Sequence, residues 1–103
     1  MGKIKDKRVN SYISRVKKAF SAKVMLFGSR ARGEHLAESD YDLLVISEKF
    51  EGVPLRERLQ KLYLMMVREP FSADILALTP KEFEELSSGP TIYSEIRKAG
   101  VYA

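Results

Sequence analysis

The residues of this chain best suited to chemistry are acids in a basic neighbourhood. Asp40 and Asp42 stand two apart at the start of the apolar run YDLLVIS, Tyr41–Ser47. Alternate residues of a strand share a face, so the two carboxylates project together while Leu43 and Val45 face the other way. Close carboxylates repel, and both stay ionised only if something cationic lies between them. Mg2+ meets that need, because it prefers carboxylate oxygen and recruits substrate phosphates as further ligands. Asp-x-Asp pairs also cap helices and decorate loops, so this spacing by itself leaves both readings open.

A third acid adds weight. Asp74 is the only charged residue in FSADILALT, Phe71–Thr79, a run expected to be buried on at least one face. A charge there is costly unless paired or metal-bound, so Asp74 is either a satisfied structural carboxylate or a third ligand beside Asp40 and Asp42. Such a triad has the capacity for two metal ions.

Gly28-Ser29 faces the acids from the end of another apolar run, AKVMLFG. A glycine there lets backbone approach a ligand closely, and a turn starting at serine directs N–H groups and a hydroxyl outward, as phosphate cradles do. Arg30, Arg32 and the turn at Gly33 add positive charge, although either arginine can equally pair with Glu34 or Glu38. Ser39 is placed to cap or orient the turn at Asp40. His35 is the only histidine, sits in a polar stretch with no triad partners, and reads as a surface residue.

These residues need a frame. Val9, Tyr12, Ile13, Val16, Ala19 and Phe20 fall at helical spacing over residues 7–20. Ala22–Gly28, Tyr41–Ser47 and Phe71–Thr79 read as strands, and EKFEGVP after the second reads as a loop. Residues 55–67 read as a helix with Leu55, Leu59, Leu62, Tyr63 and Met66 on one face. TPKE supplies a helix start, with Thr79 as N-cap, Pro80 in the first turn and Glu82 placed for a capping box, and that helix runs to about Leu86. A last helix over 90–99 carries Ile92, Tyr93 and Ile96 inward and stops at Gly100. The order α-β-β-α-β-α-α predicts a single α/β (α+β) domain over residues 1–103, a small mixed sheet flanked by helices.

Composition bounds the rest. At 103 residues, 45% hydrophobic and 31% charged, the chain suits one folded domain rather than a disordered segment. It lacks cysteine, which removes disulfides and thiolate metal sites and suits a cytoplasmic setting. Neither a signal peptide nor a membrane span is expected. The net charge of +4 is uneven, since residues 1–33 hold ten Lys/Arg against Asp6 alone. That end favours an anionic partner or forms a solvated lysine-rich helix. The scattered aromatics offer no base-stacking platform, so nucleic acid is a weak candidate.

Taken together, GSRARGE, SDYDLLV and the later Asp74 resemble the signature of the DNA polymerase β-like nucleotidyltransferase superfamily. The wording is similar to its smallest members, the minimal nucleotidyltransferase (MNT) proteins, and ADILALTPKEFEEL and IYSEIRKAGV extend the likeness over nearly the whole chain. The resemblance implies that Asp40 and Asp42 ligate two Mg2+ ions. Asp74 would complete the first metal site and assist deprotonation of an acceptor hydroxyl. Gly28 and Ser29 would hold the β- and γ-phosphates of a nucleoside triphosphate, ATP foremost. It further implies an external acceptor, a small helical HEPN-type protein, with this chain as the antitoxin that attaches AMP to a tyrosine hydroxyl. A non-catalytic antitoxin or regulatory module, neutralising its partner by binding alone, is the competing reading. The closing GVYA leaves an edge or apolar face from which dimerisation, as a homo-oligomer, or complex formation with a partner is expected.

Overall fold

The computed structural model describes residues 7–28 and 41–103. In chain order these form α1 (Lys7–Phe20), β1 (Lys23–Phe27), β2 (Tyr41–Ile46), α2 (Leu55–Leu64), β3 (Ala73–Leu78), α3 (Pro80–Ser87), α4 (Ile92–Ala99) and β4 (Val101–Tyr102). The strands lie in the order β3-β2-β1-β4. β1 runs antiparallel to β2 and β4, while β2 and β3 are parallel. The expected small mixed sheet with flanking helices is therefore what the chain forms.

Alternation along the strands builds two cores. Val24 and Leu26, Leu43 and Val45, and Ile75 and Ala77 share one with Val9, Tyr12, Ile13 and Val16 of α1, together with Phe50 and Leu62. Met25, Leu44, Ile46 and Leu78 pack on the opposite face with Phe83 of α3 and Ile96 of α4. The helix α1 supplies a stripe at i, i+3, i+4, i+7, and Lys17 and Lys18 in its last turn suit the negative end of its dipole. It stops where Ser21 adopts φ 49°. The Thr79–Glu82 capping box forms at the start of α3 as the sequence predicts.

Four features differ from the sequence expectation. α2 ends at Leu64 rather than near residue 67, with Leu55 53% and Val67 72% exposed. Arg58, outside the expected apolar face, turns inward beside Leu62. It donates from Nε to Val53 O at 2.8 Å and from Nη1 to Ala77 O at 3.1 Å, and it grips Glu82 of α3 through both terminal nitrogens at 2.6 and 3.1 Å. The bond from Arg58 holds the Glu82 carboxyl below its usual range. The expected loop after β2 contains a single 3-10 turn, Glu48–Phe50, capped by Ser47 Oγ accepting from Lys49 N. Finally, two residues after α4 pair with β1 as β4, too short a strand to show as a period in the sequence. Ile92, expected inward, is 57% exposed, because α4 begins at that residue, beyond the edge of its packed face.

Candidate active site

The antiparallel turn from β1 to β2 brings the end of one strand beside the start of the next. Phe27 is the register partner of Asp42, and Asp42 is in turn the register partner of Asp74 on the parallel strand β3. Partners in register project to the same face, so Asp42 and Asp74 stand side by side on the α3–α4 face, at one end of the sheet. Neighbouring strands lie about 4.8 Å apart, which puts the two carboxyl groups within reach of one ion.

Their neighbours hold them there. Tyr41 and Leu43 flank Asp42 and are buried on the other face, as Ala73 and Ile75 are beside Asp74. The Tyr41 N–H donates to Ser72 O at 3.1 Å. The Tyr41 ring meets Phe71 edge-on at 6.1 Å, and Phe71 meets Tyr12 of α1 at 5.7 Å. Tyr12 is itself fixed by its hydroxyl, which donates to Leu62 O at 2.7 Å, and burial raises its pKa well above the usual phenol value. An aromatic chain thus ties the base of the Asp42 strand to α1 and α2. On the far edge of β3, the Ile75 N–H donates to Tyr63 Oη at 3.1 Å.

Gly28 closes the site from β1. Its φ is +75°, in the left-handed region that glycine tolerates. A Cβ at this position would strike Asp42 Oδ2 and lie 3.3 Å from Asp42 Cγ. Glycine is therefore demanded twice, by its backbone angle and by the carboxylate seated against it. Beside Asp42, a cavity of about 410 Å3 opens between β1 and α4, with Phe27, Gly28, Ile92, Glu95 and Ile96 among its walls.

The structure thus brings together Gly28, Asp42 and Asp74. Asp40, Ser29, Arg30, Arg32, Ser39 and His35 lie outside the described residues. One part of the sequence argument needs correction. Asp74 is not a buried charge that demands a partner; it is exposed, because β3 begins at Ala73 and the strand's charged position falls at the open end of the sheet. Asp42 is half-buried. Among the described residues no group of three His, Cys, Asp or Glu side chains gathers to hold a metal. The pair Asp42 and Asp74 nevertheless has the chemistry of a hard-cation site: two carboxylates side by side, with oxygen donors only and open solvent in front. Mg2+ fits such a pair because it keeps several waters and takes one or two carboxylates plus substrate phosphates.

The fold is α+β, a mixed sheet flanked by helices, with two acids and a strand-ending glycine at one end of the sheet. The chain belongs to the nucleotidyltransferase domain family, which matches residues 9–102. In structure it is similar to a candidate nucleotidyltransferase from Sulfolobus solfataricus, with a TM-score of 0.67 and 23% identity over 99% of this chain and 89% of that one. It is also similar to a second candidate nucleotidyltransferase, with a TM-score of 0.55 and 24% identity over 78% of this chain and 87% of the other. At these identities the two neighbours speak to the fold alone. No curated protein matches the chain in sequence.

Sequence reasoning missed Arg58 and the aromatic tie through Phe71. For Arg58 a signal was present, since it lies four residues before Leu62 and so on the same helix face.

Proposed function

We propose that the protein is a Mg2+-dependent nucleotidyltransferase that moves a nucleoside monophosphate, AMP from ATP foremost, to a hydroxyl group of an external protein acceptor. The observation that carries this reading is the register pairing of Asp42 with Asp74, with Gly28 packed against Asp42, in a chain of the nucleotidyltransferase domain family. Asp42 and Asp74 would hold the ion together with Asp40. Bound Mg2+ neutralises phosphate charge and acidifies a hydroxyl near it. Gly28, with no side chain, lets the triphosphate approach the backbone, and Ser29, Arg30, Arg32 and Ser39 are the further candidates for holding it. Asp74, exposed at the end of β3, would accept the proton of the acceptor hydroxyl. The acceptor oxygen bonds to the α-phosphorus, the bond from that phosphorus to the bridging oxygen breaks, and pyrophosphate leaves with the electron pair. The cavity beside Asp42 gives one of the reactants bounded room next to the carboxylates.

The resemblance to minimal nucleotidyltransferases supports a toxin–antitoxin setting in the cytoplasm, with a small helical HEPN-type protein as acceptor and this chain as antitoxin. The test uses purified protein, Mg2+, host lysate and ATP labelled at the α or the γ position. Transfer of α-label alone to a macromolecule, lost in Asp42→Asn, is the expected result. If neither label moves while wild type and Asp42→Asn capture the same partner equally, the protein acts as a non-catalytic binding module and the enzyme reading is wrong.

A further inference from the structure

A second cavity lies away from the carboxylates. It holds about 660 Å3 and lies at the opposite end of the same sheet face, where β1 begins, β2 ends and α3, α4 and β4 approach. Buried Met25, Ile46 and Phe83 make its apolar floor. Phe20 and Tyr102 stand at its sides, and Tyr102 is 54% exposed. Its rim is charged. Arg97 is held by Glu84 at 3.4 Å and Ser87 Oγ at 3.0 Å. Exposed Lys23 and Lys49 line the same cavity and make no side-chain bond or ion pair with the described residues, against a single further acid, Glu48.

The walls are fixed. Ser47 Oγ donates to Phe20 O at 2.5 Å and accepts from Lys49 N, while Ser47 N donates to Leu78 O at 3.0 Å. Across the cavity, Gly100 admits no side chain, since a Cβ would lie 2.5 Å from Ile96 O and 3.1 Å from Met25 Cε. Both ends of the opening are therefore set by backbone rather than by mobile side chains.

We infer that this second cavity is a binding site for a small organic anion with a flat apolar body, seated on Met25, Ile46 and Phe83 with its acidic group between Lys23 and Lys49. The volume lies within the range of small-ligand pockets, which pair an apolar lining with a few polar groups that fix orientation. Two cations without protein partners beside an apolar floor supply both halves of that recognition. The site is separate from the proposed transfer chemistry: neither Gly28, Asp42 nor Asp74 lines it, and of the residues around the cavity beside Asp42 it shares Gly100 alone.

The test takes the full chain with 8-anilinonaphthalene-1-sulfonate as probe and its uncharged counterpart, N-phenyl-1-naphthylamine, as control. Binding is followed by fluorescence and by methyl NMR. One equivalent of the sulfonate should bind saturably and shift the Met25 and Ile46 methyl signals. The Ile92 methyls, which line the cavity beside Asp42 instead, should stay in place. Lys23→Glu combined with Lys49→Glu should weaken the sulfonate about tenfold, as expected for reversing two exposed contacts, and leave the uncharged probe unchanged. The double variant alters exposed side chains only and is checked for an unaltered melting curve. Binding that never saturates, shifts confined to Ile92, or equal affinity for the two probes in wild type each overturns the inference.

Discussion

Replacing Gly28 by alanine separates two demands that the structure places on one residue. The first is backbone strain: at φ +75° an L-residue costs about 1–2 kcal/mol relative to glycine. The second is steric, because the new Cβ would meet Asp42 Oδ2 and sit 3.3 Å from Cγ and 3.6 Å from Cβ of the same residue. The carboxylate has to turn away, and holding its side chain off its preferred torsions costs about 0.5–1.5 kcal/mol. A combined loss of about 1.5–3.5 kcal/mol lowers the melting temperature by roughly 7–16 °C in a domain of this size. Thermal and urea unfolding by circular dichroism measure it. The double variant Gly28→Ala/Asp42→Ala keeps the strain and loses the clash, so a double-mutant cycle should show about 0.5–1.5 kcal/mol of coupling. Well below the melting temperature, Gly28→Ala should also lose nucleotide transfer, since the displaced carboxylate no longer faces Asp74. An unchanged melting temperature, or strictly additive single costs, would show that the carboxylate does not rest against Gly28 and would remove the geometric support for the site.

Three further outcomes follow from named contacts. Without Mg2+, Asp74→Asn should raise stability by up to about 1 kcal/mol by relieving repulsion from its register partner Asp42. MgCl2 with a non-hydrolysable triphosphate should raise the melting temperature of wild type more than that of the variant, and an equal rise in both would argue against a shared ion. Glu82→Gln keeps a residue able to form the capping box but removes the charge facing Arg58. The folded-state pKa of Glu82 is depressed, so its contribution is present above the ordinary value of 4.5 and fades as pH falls through the lower folded one. With the carboxylate side chain 41% exposed, wild type should exceed the variant by about 1 kcal/mol at neutral pH, a gap that urea titrations should see close in acid. Tyr12→Phe leaves Leu62 O without its 2.7 Å donor and should cost about 1–2 kcal/mol. Because the folded phenol titrates above its ordinary 10.0, that advantage is complete below pH 10 and shrinks as pH rises further; a constant gap in alkali would contradict it.

How much of this was legible in the sequence depended on the range of the interaction that decides each feature. The helix α1 and strands β1 to β3 are written in local alternation, so spacing alone located them. The capping box at Thr79 and Glu82 is a four-residue code and forms as read. What spacing does not carry is which elements lie beside one another. The two-residue strand β4 exists because β1 offers it an edge, and the inward turn of Arg58 is set by Val53, Ala77 and Glu82, bonds that span up to 24 residues. The site shows the same division. Period-two alternation gave Asp42 and Asp74 their faces, but the expectation that Asp74 was a buried charge failed, because a charged residue at a strand's open end is solvated however apolar its successors are. A metal pair here therefore owes nothing to the cost of burying a charge. It rests on register: two acids made neighbours by the parallel pairing of β2 and β3 gain nothing structural from adjacency, and a glycine is kept where any side chain would push one of them out of line.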